Sequence, residues 1–217
     1  MKIFPPLSLL FCVASRLLAG AEIWRLESVE KIGGHAVTVI GAPRVVEAAG
    51  AKALAFDGVK DGVLVPAIPV AGALRFTIEV LFQPAEGGPT EQRFFHAQDA
   101  KGSRAMIETR LDGKGGWWLD TFLTNATPGG GVALIDPQRV HPTGRWHWVA
   151  LRYDGTMMAH FVDGKKELER AATFEPLAAG QISLGVRQNL VHWFKGVIRE
   201  VRFHTAAIAE GDMQRAK

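Results

Sequence analysis

The stretch RWHWVALRYDGTMMAHFVDGKK, residues 145–166, decides how this chain folds. It holds two apolar runs, each closed by Asp-Gly, and so predicts adjacent antiparallel strands joined by tight turns. Gly accepts positive φ without a Cβ clash, and Asp bonds its own nearby backbone. Asp154-Gly155 and Asp163-Gly164 therefore mark strand ends.

Outward from this hairpin the same grammar recurs. In FTIEVLFQ, residues 76–83, Phe76, Ile78, Val80 and Phe82 share one face, leaving Thr77, Glu79, Leu81 and Gln83 on the other; Pro84 ends the strand. In RAMIETRL, residues 104–111, Ala105, Ile107, Thr109 and Leu111 point inward and Arg104, Met106, Glu108 and Arg110 outward, before the turn Asp112-Gly113. WWLDTF, residues 117–122, groups Trp118, Asp120 and Phe122 when Leu119 faces the core. Further strands are predicted at 53–56, 62–65, 181–186 and 197–204. Residues 125–131 read as a loop and 206–217 as a short terminal helix or frayed tail. Helical periodicity is almost absent, there is no internal repeat and no linker, so the chain reads as one all-β sandwich domain over residues 22–217.

Residues 1–21 open with Lys2, continue through an apolar run and end in Ala19-Gly20-Ala21, the pattern of a secretory signal cut before Glu22. The run is too short to span a bilayer, and no second apolar span of that length follows. The segment carries Cys12, the chain's single cysteine, so the exported remainder would have neither a disulfide nor a Cys-ligated metal. Lys and Arg number 25 against 22 Asp and Glu. With Lys2 and Arg16 removed the balance is close to neutral, and no basic run argues for nucleic acid.

Several segments together resemble the laminin-G-like, concanavalin A-like lectin/glucanase superfamily. They are ALAFDGVKDGVLVP at 53–66, FTIEVLFQP at 76–84, the hairpin itself, and ISLGVRQNLVHWFKGVIREVRFH at 182–204. The resemblance implies a two-sheet antiparallel jelly-roll β-sandwich. It is unspecific for activity, because the superfamily holds lectins, carbohydrate-binding modules, adhesion domains, glycosidases and lyases. Two departures stand out: Arg199 replaces a common Asp, which weakens any carry-over of a calcium site, and Leu81 replaces a frequent Trp.

In relatives of this type, saccharides bind on the concave sheet. Outward positions of the central strands are therefore the candidate carbohydrate contacts: Glu79, Arg104, Glu108, Arg110, Trp118, Asp120, Trp148 and Arg152. Indoles stack on pyranose C–H surfaces, and guanidinium forks bond hydroxyls or carboxylates. The expectation is a shared groove, provided those strands lie in one sheet; the same residues also suit an ordinary solvated face. Glu79, Glu108 and Asp120 could supply a glycosidase pair, but the E-x-D-x-x-E strand of laminarinase-like glycosidases is missing. A lyase needs a base, and the single Tyr, Tyr153, has inward parity. His147, His160, His192 and His204 show no metal-binding spacing. Asp57, Asp61, Asp154 and Asp163 leave calcium possible, though turn geometry explains them first, and no cofactor is expected. The segment 187–195 overhangs the groove with Gln188, Asn189, His192 and Trp193, or else buries Trp193 and Phe194 as a lid on the core. The reading is an exported domain binding a carbohydrate or cell-surface glycan without chemistry; the alternatives are an adhesion domain and a polysaccharide-degrading enzyme.

Overall fold

A computed structural model describes residues 20–127 and 130–216; the signal expected at the N-terminus lies, except for its last two residues, outside the described residues. The strands are, in chain order, β1 (Glu22–Arg25), β2 (Lys31–Ile32), β3 (His35–Ala36), β4 (Thr38–Ile40), β5 (Arg44–Ala48), β6 (Ala51–Asp57) and β7 (Gly62–Val65). The middle of the chain forms β8 (Phe76–Pro84), β9 (Glu91–Asp99), β10 (Arg104–Leu111), β11 (Gly116–Thr124), β12 (Val132–Ile135) and β13 (His141–Pro142). Then come β14 (His147–Tyr153), β15 (Met157–Val162), β16 (Lys165–Ala171), β17 (Gly180–Leu184) and β18 (Lys195–His204).

Two large antiparallel sheets result, with β2 and β3 pairing apart from them as a small two-stranded sheet. The first runs β16-β15-β14-β8-β18-β6-β5, with β1 beside β18; the second runs β12-β11-β10-β9-β17-β7-β4, with β13 beside β11. Their facing sides hold the core, at whose centre Phe82 of the first sheet stacks on Phe94 of the second at 4.4 Å and 9°, with Trp117 edge-on at 5.2 Å. Burying each such ring contributes about 1.5–3 kcal/mol. No helix among the described residues is long and apolar enough to cross a membrane.

The hairpin forms as its sequence requires. β15 ends at Val162 and β16 begins at Lys165, so Asp163 (φ 48) and Gly164 (φ 71) make the whole turn, both left-handed as a type I′ turn demands. The carboxylate of Asp163 accepts the Trp148 N–H at 2.9 Å, and that of Asp154 accepts the Thr156 and Met157 N–H groups. Asp57 caps Val59, Lys60 and Asp61 in the same way.

The C-terminal segment is neither a frayed tail nor a helix, apart from one 3-10 turn at Glu210–Asp212. It straps the outer face of the first sheet. Ile208 and Met213 pack there on Ala150, Ala159 and Phe161. The strap also donates the Ile208 N–H to Thr77 Oγ1, the Gln214 N–H to Glu79 Oε1 and the Ala216 N–H to Asp163 Oδ1.

Candidate functional site

The alternation read from the sequence holds, but the eight candidate residues do not share a groove. Arg104, Glu108 and Arg110 lie on β10 and Trp118 and Asp120 on β11, in the second sheet; Glu79 on β8 and Trp148 and Arg152 on β14 belong to the first. In a sandwich the outer faces of the two sheets look in opposite directions, so one trough cannot hold both sets. Parity along a strand decides which side of its sheet a residue occupies, not which sheet the strand joins.

The first-sheet set is sealed. Glu79 is 1% exposed, with one oxygen taking the Gln214 N–H and the other 2.9 Å from His204 Nε2. Trp148 is buried beneath the Arg202 guanidinium, 5.1 Å from its ring. Arg152 lies over Phe161 at 5.0 Å and reaches the Ile208 carbonyl and Glu169. All three serve to fasten the strap and the sheet beneath it.

The second sheet's outer face is open. Register sets Glu108 opposite Asp120, Arg110 opposite Trp118 and Met106 opposite Phe122. On the other flank a bulge lets Ile107 face Phe95 while Glu108 faces Arg93, so Phe94 is the extra residue and both rings turn into the core. That shift brings Arg93 Nε within 2.9 Å of Glu108 Oε1. Arg110 grips Asp120 Oδ2 with Nε at 2.9 Å and Nη2 at 2.7 Å, and it also pairs with Glu91.

The segment between β17 and β18 closes one side. It begins at Gly185 (φ 82), where a Cβ would stand 2.2 Å from the Phe56 ring, so only glycine lets the chain pass so close to the core. The lid expectation is met by Phe194, which is buried in the core, but Trp193 is only half-buried, and Arg187 rather than Gln188, Asn189, His192 or Trp193 lines the open face. Gln188 ties the segment down, its backbone N–H donating to His96 Nδ1 at 3.1 Å and its side chain to the His96 and Gln181 carbonyls. The Nδ1 acceptor role leaves the proton on Nε2 of His96.

Between these elements lies a depression of about 260 Å³, lined by Arg93, Arg104, Arg110, Arg187, Glu108 and Asp120, with Met106, Phe122 and Ala133 as its apolar part. Trp118 stands half-buried on the same face, opposite Arg110. Burial first, and then Asp120, push the Glu108 carboxyl up to about 7 against the pull of Arg93 and Arg110. Burial also raises Asp120, against the hydrogen bond and charge of Arg110. Burial, together with the charges of Arg187, Arg104 and Arg93, lowers His96 to about 3 and keeps the ring neutral. A larger depression of about 480 Å³ beside Tyr153 and Phe174 has one charged lining residue, Glu175, and so offers much less chemistry. Among the described residues no three His, Cys, Asp or Glu side chains are grouped to hold a metal.

Arg93, Arg187 and His96 were not among the sequence-based candidates. The β9 run EQRFFHAQD hides its parity behind the bulge, and the loop position of Arg187 carries no periodicity. Only the basic character of the 187–195 segment could have pointed to it.

Comparison with known proteins places these features in a family. A model described as the concanavalin A-like lectin/glucanases superfamily matches residues 57–213. No curated protein matches the chain by sequence. Among solved structures the chain is similar to domain 4 of AbnA, an extracellular GH43 arabinanase from Geobacillus stearothermophilus in complex with arabinotriose: 18% identity, TM-score 0.65, covering 88% of this chain and 96% of that one. It is also similar to the binding domain of Paraclostridial Mosquitocidal Protein 1, at 12% identity and TM-score 0.64, covering 89% of this chain and 50% of that one. The binding domain of botulinum neurotoxin DC in complex with SialylT matches at 10% identity and TM-score 0.64, again over 89% and 50%. The chain thus spans half of each toxin domain, and at these identities the likeness is one of fold.

Proposed function

Because the chain belongs to the concanavalin A-like lectin/glucanase superfamily, we propose that it binds a saccharide, without chemistry, on the outer face of its second sheet. The observation that carries this reading is the depression where charged forks, the Phe122 ring and apolar patches converge on the open side of the molecule, with Trp118 opposite its lining residue Arg110. Two of the structural neighbours are complexes with a carbohydrate or a sialyl ligand, which supports the ligand class. Stacking on an indole face and hydrogen bonds from fixed forks are the contacts a sugar needs.

Titration of the protein with the best ligand from a glycan array tests the reading. Trp118→Ala weakens binding by about tenfold or more, the loss typical of a central aromatic contact, whereas Trp148→Ala leaves the affinity of the folded fraction unchanged. The opposite pattern would move the site to the first sheet and end the proposal. Export is part of the same reading: the mature protein recovered from outside the cytoplasm starts at Glu22, and a cytoplasmic chain still starting at Met1 contradicts it.

One observation favours a second, catalytic reading: a carboxyl raised to about 7 beside another carboxyl is the pattern of a glycosidase acid and its partner. Against it, Arg93 holds Glu108 and Arg110 holds Asp120 through short charged hydrogen bonds, which serve to fix carboxylates rather than free them.

A further inference from the structure

On the saccharide-binding reading just given, we infer that the ligand is acidic, its carboxylate or sulfate held between Arg104 and Arg187. Four guanidinium groups line the depression against two carboxyls. Of these, Arg93 is paired with Glu108 and Glu91, and Arg110 with Asp120 and Glu91. Arg104 and Arg187 have no carboxylate partner among the described residues. Neither is fully solvated, both being partly buried, and Arg104 rests over the Phe122 ring at 5.8 Å.

The hydrogen-bond balance points the same way. Buried donors on this face lack acceptors among the described residues: Arg104 Nε in the lining of the depression, and Trp118 Nε1 and His96 Nε2 elsewhere on the same face. On the same face Glu108, 2% exposed, has its Oε2 unpartnered among the described residues. That oxygen carries the proton when Glu108 is neutral, adding one more donor. Orphaned buried donors cost free energy that an acceptor-rich ligand recovers. A neutral sugar hydroxyl both donates and accepts, whereas a carboxylate or sulfate only accepts, and guanidinium forks match its geometry in two parallel bonds. Mutual repulsion with Arg104 and Arg93 also acts, after burial, to lower the Arg187 pKa. An anion between them relieves that repulsion.

The test uses the full chain and two matched pairs measured by calorimetry: an oligogalacturonate with its carboxyl-reduced form, and a sulfated galactan oligosaccharide with its desulfated form. The expected result is that at least one acidic member binds about tenfold or more tightly than its neutral counterpart, and that the preference shrinks as salt is raised. Whichever pair shows it identifies the anionic group. Arg104→Gln and Arg187→Gln, at an unfolding midpoint close to wild type, each reduce the preference, and the double variant removes it while weaker binding of the neutral sugar remains. Equal binding of acidic and neutral members overturns the inference but leaves the saccharide-binding reading standing. Failure of all four to bind overturns both. An acidic preference that survives the double variant shows that the anion sits elsewhere, and also overturns the inference.

Discussion

Between pH 6.5 and pH 4.5 the free energy of unfolding falls by about 3 kcal/mol. His96 and His160 are both buried and neutral, with pKa values lowered to about 3 by burial first, helped at His96 by the neighbouring arginines and at His160 by His141. The unfolded chain takes up these two protons near pH 6.5 and the native chain does not. Each histidine therefore contributes stability that is complete above 6.5 and is lost as the pH falls toward 3, at about 1.4 kcal/mol per pH unit. Glu108 acts in the opposite sense. With its pKa raised to about 7, it contributes stability that is complete below 4.5 and is lost as the pH rises through 7. Two losses against one gain over two pH units leave about 3 kcal/mol, measurable by urea unfolding at the two pH values. His160 is the cleaner group to replace. It lies away from the open face, with Nδ1 3.1 Å from Thr121 Oγ1. His160→Gln brings the difference between the two pH values close to zero, whatever it does to stability at either one. A variant that keeps the whole wild-type difference shows that His160 is not a buried neutral group.

Ile208→Ala with Met213→Ala costs about 4 kcal/mol and lowers the melting temperature by about 10 °C. The segment carrying these side chains has almost no regular structure, so the strap stays in place through what it packs on and donates to. Both side chains are nearly fully buried against Ala150, Ala159 and Phe161, and shortening them leaves voids over the first sheet. The damage reaches Glu79, because the Gln214 N–H that satisfies one of its oxygens comes from the same segment. A buried carboxyl that loses its donor is costly in itself. Saccharide affinity, corrected for the folded fraction, stays at the wild-type value, since the strap and the open face are on opposite sides of the sandwich. Unchanged thermal stability in the double variant would show that the strap is not fastened as described.

What the sequence made legible follows from which signals are local. Asp163-Gly164 announces its own turn because two consecutive left-handed residues are required there, and the β10 alternation predicts which of its side chains face out. The strand at residues 104–111 coincides with β10, and residues 62–65 with β7. The β9 strand went unread because Phe94 and Phe95 enter the core together at a bulge, which breaks the period of two. The fate of the C-terminal segment was hidden for a different reason: its partners, Thr77, Glu79 and Phe161, are far away in sequence, and nothing local marks Ile208 and Met213 as covering a sheet. Sheet membership was hidden in the same way. Glu79 and Glu108 present the same outward parity and the same chemistry, and both are buried, yet the strand order places one under a strap and the other in the lining of the depression on the opposite sheet.

The account depends most on that division between a sealed face and an open one. The indole N–H resonances of the protein, followed by NMR during titration with a bound saccharide, test it in one measurement. The account predicts that the Trp118 indole signal moves with ligand while that of Trp148 stays where it is. Movement of Trp148 with Trp118 silent would contradict it.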